Sequence, residues 1–262
     1  FFLLMQSLWE MFCCGESSEV VLTNPEPSLR LVLVRHGESQ NNALAEQLSR
    51  TSEFEARRHV DPDLTDLGRR QAESLATFLA DGAVRSQAVS QILPLAHVCV
   101  SPMKRALQTA APLVRRLGVS AEIWTDCFEV GGMYHEGGTE SKGLSIKEMK
   151  REISCSVPDD VSEDGWCGLR ERETREKAKL RANLVATRIR RMAQTDDSGL
   201  RGKTLLLLSH HDFMNLLLQS LLKEGKQAHH PNTSITCVEV FESGAAKTVF
   251  VACTEHLKSD NL

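Results

Sequence analysis

Aromatic side chains are scarce in this chain. Only 5% of its 262 residues are Phe, Trp or Tyr, and Tyr134 is the single tyrosine. A core must therefore rest on Leu, Val, Ile and Ala, which a chain of this length can supply because large domains bury most of their unfolded surface. Long apolar runs are missing too: nothing reaches the ~18–20 residues that a membrane-spanning helix needs. Neither sign of charge is in large excess, with 31 Lys and Arg against 35 Asp and Glu. That balance argues against an obligate nucleic-acid binder, whose phosphate contacts call for a basic surplus. Collagen-like, low-complexity and bulk-disordered classes are excluded by an otherwise average composition. The eight cysteines contain no Cys-x-x-Cys and no zinc-ligand spacing. Cys99, Cys237 and Cys253 fall in apolar strand-like runs, where a thiol behaves as a small hydrophobe. Such usage fits a reducing, cytoplasmic compartment rather than a disulfide framework.

The N-terminal stretch is read apart from the rest. It opens Phe1-Phe2-Leu3-Leu4 without Met, as a processed or partial chain would. Residues 1–12 have no preceding basic region and contain Glu10, which makes them a poor signal peptide. Cys13 and Cys14 beside this apolar segment are candidate palmitoylation sites, and any membrane association would run through this tail. Residues 15–28 are linker-like, closed by Pro25 and Pro27. The expected division is a disordered or anchoring tail at 1–28 and one domain at 29–262, with an insertion at 130–168.

From Leu29 onward, strand-like and helix-like segments alternate. Residues 31–34, 97–100 and 204–208 are short, wholly apolar runs, as expected of strands covered on both faces. A further strand is expected at 121–124, and strands at 234–241 and 247–252 flank Glu242-Ser243-Gly244 as a hairpin. Helices are expected at 65–80, 145–153, 170–193 and from Asp212 to about Lys223. Another follows Ser101-Pro102, read as an N-cap with Pro at the first helical position, and stops at Gly118. The 170–193 helix carries a stripe of Ala178, Ala182, Val185, Ile189 and Met192. Its opposite face is strongly cationic, read as solvated and supported by Glu171/Arg175 and Glu173/Lys177 at i,i+4. The alternation specifies an α/β fold: a three-layer α/β/α sandwich around a mostly parallel sheet with an antiparallel edge.

In such sheets, sites form beyond the carboxyl ends of the strands. Four ends carry chemistry: Arg35-His36-Gly37-Glu38-Ser39 with Asn42, Ser101-Pro102-Met103-Lys104-Arg105, Asp126-Cys127-Phe128-Glu129, and Ser209-His210-His211-Asp212. Alone, each His or Arg would be read as structural or surface. Together, two arginines form a pocket for a phosphate dianion, because guanidinium matches its oxygens bidentately and stays charged. A neutral His among them can attack phosphorus, and neighbouring cations favour that neutral form. A carboxylic acid is then required to protonate the leaving oxygen.

The segments LVRHGESQNN (33–42), DPDLTDLGRRQAE (61–73), SPMKRALQTA (101–110), FEVGG (128–132), LLSHHDFMNLLL (207–218) and NTSIT (232–236) together resemble the histidine phosphatase superfamily, in its phosphoglycerate-mutase-like branch. The resemblance spans roughly residues 29–252. It implies that His36 is transiently phosphorylated and that Arg35, Arg105 and His210 hold the phosphoryl oxygens, with Asn42 contributing. Glu129 takes the place of the proton donor. His210 rather than His211 matches the family histidine, since it directly follows the strand and Ser209. His211 stands where the family usually has a small residue.

The fragment FEVGGMYHEGG, followed by Gly143-Leu144-Ser145 and Gly165-Trp166, resembles unassigned phosphatases and lacks the longer loop of the mutases. Hydrolysis is thus expected, with a phosphoglycerate-type mutase as the alternative. The other alternative, an idle phospho-ligand or protein-binding relative, would call for loss of His36, Arg105, Glu129 or His210, and all are present. No cofactor and no metal are expected. The expected partner is a phosphorylated small molecule or a phosphoprotein, without nucleic acid, and no oligomeric state is implied. His229-His230 lack a third metal ligand at useful spacing, and His59, His97, His135 and His256 belong to no motif. Asp61 to Gly68 is read as structural, with Thr65 capping a helix and Gly68 packing closely.

Overall fold

The computed structural model describes residues 26–80, 87–134, 141–168, 171–223 and 227–258. The tail expected at 1–28 lies, up to residue 25, outside these. Strands β1 (Leu29–Arg35), β2 (Leu95–Val100), β3 (Ala121–Ile123), β4 (Cys155–Ser156), β5 (Lys203–Ser209), β6 (Ile235–Val240) and β7 (Ala246–Cys253) form one sheet in the order β4-β3-β2-β5-β1-β6-β7. The first five in that order run parallel, and β6 and β7 turn antiparallel at one edge. This is the expected three-layer α/β/α sandwich.

The wholly apolar runs are explained by the pleat, which sends alternate side chains to opposite faces. Val32 and Val34 of β1 join a core with Leu75 and Leu79 of α3 (Asp66–Ala80) and Ala106, Ala110 and Leu113 of α5 (Lys104–Leu117). Leu29, Leu31 and Leu33 join the other core. There they meet Ala178, Ala182, Val185 and Ile189 of α7 (Arg175–Gln194) and Phe213 and Leu217 of α8 (His211–Leu222). Shorter helices α1 (Gln40–Leu48), α2 (Ser52–Arg57), α4 (Gln87–Ser90) and α9 (Glu255–Lys258) are too brief to show a helical period in sequence. Residues 141–168 carry α6 (Ile146–Glu152) and β4, which extends the sheet beyond β3, and Met149, Ile153 and Trp166 there join the first core.

Three expectations need correction. Helix α5 begins at Lys104, so Ser101 is not its N-cap and Pro102 is not its first residue. The N-cap position falls on Met103, whose side chain makes no capping bond, and the Lys104 amide is met instead by the distant Asp61, whose carboxylate oxygens each accept from Lys104 N at 3.1 Å, offsetting the positive end of the helix. Helix α7 starts five residues later than expected, capped by Thr174. Glu171 and Glu173 therefore precede it, and the two i,i+4 pairs do not form: Glu171 binds Lys177 and Glu173 binds Arg181. Nor is the cationic face simply solvated. Arg181 and Arg190 turn back onto backbone carbonyls, and Arg188 onto Asp126.

Candidate active site

The carboxyl ends of β1, β2 and β5 and the turn after β3 meet at one cleft of about 720 Å³, lined by Arg35, Asn42, Arg105, Glu129, His211 and Asp212 among others. His36 and His210 are buried and do not themselves line it, although their chain neighbours Arg35 and His211 do; their ring centroids are 5.1 Å apart.

His36 is held by its own backbone. Its Nδ1 lies 2.7 Å from the Gly37 carbonyl, and since a carbonyl only accepts, Nδ1 carries the proton. Burial, followed by the charges of Arg105 and Arg35, pushes the imidazole well below its ordinary pKa. The ring is therefore neutral, and Nε2 presents a lone pair, which accepts from Arg105 Nε at 3.2 Å. Close backbone approach keeps the loop in place: a Cβ on Gly68 would fall 2.0 Å from Glu38 O, and one on Gly37 2.7 Å from Gly68 O. Gly37 N donates to Thr109 Oγ1 at 2.9 Å, and Asn232 Nδ2 donates to His36 O at 2.9 Å. Thr65 Oγ1 accepts from Gly68 N at 3.0 Å, the capping expected of it.

The two arginines are fixed separately. Arg35 Nη1 donates to His230 O at 2.7 Å, and its Nε is buried without a partner among the described residues. Burial and the neighbouring Arg105 lower its pKa to about 10, with Glu129 opposing; it stays cationic at neutral pH. Arg105 lies 3.7 Å from Asp61, the same carboxylate that meets the Lys104 amide. His230 is thus more than a bystander, since its carbonyl orients Arg35. Its ring and that of His229 pack within 5.7 and 5.8 Å of His211. His256 likewise has a structural place, with Nε2 2.9 Å from Thr233 Oγ1.

His210 follows β5 and points inward. Its Nε2 lies 2.7 Å from Ser101 Oγ, which itself accepts from Met103 N at 3.4 Å. The hydroxyl can both accept and donate, so this contact is served by either ring tautomer. Nδ1 is buried and has no partner among the described residues. Asn42 lines the cleft, but its Oδ1 accepts from Ser39 N at 3.0 Å in the capping box of α1, so only its Nδ2 is available to a ligand.

Glu129 sits at the N-terminus of α8. Its Oε1 accepts from Val130 N at 2.8 Å and Phe213 N at 3.1 Å, and its Oε2 from Asp212 N at 3.4 Å. Burial first, then Asp212, raises its pKa above the ordinary carboxyl value, although Arg105 and the amides pull the other way. The segment before it is tied down by a residue that sequence reasoning missed. Arg181 donates to Asp126 O and Phe128 O at 2.9 Å each, pairs bidentately with buried Glu173, and stacks 3.6 Å over the Phe128 ring. Ser209 Oγ adds a 2.8 Å bond to Cys127 O.

One group of His, Cys and acidic side chains among the described residues has metal-like spacing: His97, Cys99 and Glu122. It lies on β2 and β3, apart from the cleft residues, and His97 Nε2 already meets Glu122 at 2.7 Å.

A family model described as histidine phosphatase superfamily (branch 1) matches residues 31–252. The bifunctional protein Rv2228c of Mycobacterium tuberculosis is 24% identical over 237 residues, 87% of this chain and 55% of that protein. The chain thus spans about half the length of the curated relatives it matches. Among solved structures, mycobacterial glucosyl-3-phosphoglycerate phosphatase Rv2419c is similar, with a TM-score of 0.52 and 21% identity over 86% of this chain and 99% of that one. Phosphoserine phosphatase from Entamoeba histolytica gives 0.52 and 19%, over 87% and 99%.

Proposed function

The chain belongs to the histidine phosphatase superfamily, branch 1, and from that premise we propose that it hydrolyses phosphate monoesters through a phosphohistidine on His36. The observation that carries the reading is the pairing of a neutral His36, its Nε2 lone pair beside the Arg105 guanidinium, with a carboxyl group, Glu129, held above its ordinary pKa.

The phosphoryl dianion sits against Arg35, Arg105 and His210, whose Nδ1 has no other partner among the described residues, with Asn42 Nδ2 within the same cleft. His36 Nε2 attacks phosphorus, and the P–O bond to the leaving group breaks as Glu129 gives its proton to the departing oxygen. The resulting imidazolium phosphate is held by the same cations, which counter the charge spread over the equatorial oxygens. Water then attacks phosphorus, giving its proton to the ionised Glu129, and the P–N bond breaks to return neutral His36 and inorganic phosphate. The cleft volume suits a small phosphorylated molecule, which is the substrate class proposed.

Turnover of para-nitrophenyl phosphate by the wild-type chain and by His36→Ala is the test. The variant keeps the arginine clamp, so its rate is expected to fall by about 10³-fold or more while the fold survives. A variant as fast as wild type would overturn the assignment of the nucleophile.

A further inference from the structure

We propose that His97, Cys99 and Glu122 form a zinc site of their own, on the α7 side of the sheet and apart from the phosphoryl cleft, in which three side chains and water hold the ion. None of the three lines the cleft, and the proposal does not depend on the hydrolysis proposed above.

Sheet register assembles the site. His97 and Cys99 stand two apart on β2, so the pleat sends both side chains to one face. Glu122 of β3 is the parallel partner of Cys99, which puts its carboxylate on that same face. The face is the one covered by α7, since Cys99 and Trp124 belong to the core built on Ala182, Val185 and Ile189. An imidazole nitrogen, a thiol sulfur and a carboxylate oxygen, one from each residue, lie within 4.8 Å of one another. A tetrahedral zinc with bonds of about 2.0–2.3 Å sets its ligand atoms about 3.3–3.8 Å apart, so closing the cluster onto an ion takes shifts of about 1 Å. The 2.7 Å contact of His97 Nε2 with Glu122 opens as the ion takes the place of the shared proton.

The donor set selects the metal. Thiolate, imidazole and carboxylate together suit zinc, whereas magnesium and calcium take oxygen ligands. Charge balances as well: one thiolate and one carboxylate neutralise Zn²⁺, with His97 neutral and its proton on Nδ1. Binding releases the Cys99 proton to solvent. Burial first, then Glu122, pushes that thiol well up, so it ionises only when a cation is there to meet it. The opposing cation is Arg188, which bears on both Cys99 and Glu122. It is already paired with Asp126 and stacked 4.6 Å over the Trp124 ring. Cys99 is fully buried, but the side chains of His97 and Glu122 are 35% and 43% exposed, which gives zinc a way in. Permanent structural zinc has four protein ligands. With three and water this ion exchanges, and its occupancy follows free zinc. Bound, it ties the three-residue strand β3 to β2, ahead of the turn that carries Glu129.

Cobalt(II), which substitutes for zinc and absorbs visible light, is the probe. The full chain, stripped of metal and kept reduced, is titrated with cobalt chloride. One equivalent is expected to bring up a thiolate-to-cobalt charge-transfer band in the near ultraviolet, with the strong visible bands of tetrahedral cobalt, and zinc should abolish both. Cys99→Ala should remove the charge-transfer band. His97→Gln and Glu122→Gln, at partly exposed positions, should each weaken cobalt binding at least about tenfold, since even an outer-shell partner is worth about 10–100-fold. Zinc at about a hundredfold excess over its Kd should raise the wild-type Tm by about 5 °C, and that of His97→Gln distinctly less. Para-nitrophenyl phosphate turnover should be alike in metal-free wild type and His97→Gln. Should Cys99→Ala fail to fold, the two Gln variants decide. No charge-transfer band in wild type, a band that survives Cys99→Ala, or cobalt affinity unaltered in both Gln variants would overturn the proposal.

Discussion

Ser101 Oγ meets His210 Nε2 at 2.7 Å, while His210 Nδ1 is left buried and unpartnered among the described residues. The role proposed for the serine is to donate to Nε2, so that Nδ1 keeps its proton for a phosphoryl oxygen. Ser101→Ala is expected to lower kcat/KM by roughly tenfold, the worth of about 1–2 kcal/mol of hydrogen bonding. Ser101→Thr keeps the hydroxyl and should restore most of it. Steady-state kinetics on the three proteins decides, and an unaltered Ser101→Ala enzyme would count against this role of the serine.

Arg181 is expected to matter through folding. It is 11% exposed and its partner Glu173 4%, so removing the cation strands a buried carboxylate. Arg181→Met should cost about 3–5 kcal/mol in urea unfolding. Arg188→Met, at a pair in which Arg188 is 41% exposed, should cost under about 1 kcal/mol. Equal losses would show that burial does not set the difference.

Much of the site was legible because each strand ends in residues whose chemistry has few other uses. Arg35-His36, Arg105 and Ser209-His210 follow short, continuous apolar runs of the kind buried strands show, and the fold brings them to one end of the sheet, with Arg35 and Arg105 in the lining of the cleft. What sequence could not show is who holds whom. Ser101 precedes a helix and so looks like its cap, yet its hydroxyl serves His210 while Asp61, forty residues earlier in the chain, meets the Lys104 amide at the helix start. Arg181 lies in a cationic helix whose composition is that of a solvated face. Only the packing of α7 against the segment before Glu129 reveals its contacts with the carbonyls there. The adjacent His229 and His230 gained a place only through the return of the chain onto Arg35 and His211.

In the proposed mechanism, positive charge for the phosphoryl group comes from Arg35 and Arg105, both side chains of this chain. Activity is therefore expected to be unchanged by excess chelator and inhibited by vanadate, a mimic of five-coordinate phosphorus. Loss of activity in chelator, restored by magnesium or zinc, would contradict this mechanism.

The pH profile follows from two opposite shifts. The proposed mechanism needs His36 neutral, and its pKa lies well below the usual histidine value; it needs Glu129 protonated, and its pKa lies above the usual carboxyl value. Thus kcat/KM should be highest on the acidic side of neutrality and fall as rising pH ionises Glu129. Glu129→Gln should abolish that alkaline fall. It should cost alkyl phosphates on the order of 10²–10⁴ in rate, the worth of a general acid. Para-nitrophenyl phosphate should lose distinctly less, because para-nitrophenolate leaves without help. Equal losses for the two leaving groups would remove Glu129 from the role of acid.

The most direct measurement is to trap the intermediate. Wild-type protein and His36→Ala are mixed with a ³²P-labelled phosphomonoester, quenched rapidly, and the protein-bound label is tested for stability. The expected result is a label on wild type alone that is lost in acid, survives base and maps to His36. A label that survives acid and is lost in base would indicate an acyl phosphate, and a label retained by His36→Ala would place the nucleophile elsewhere.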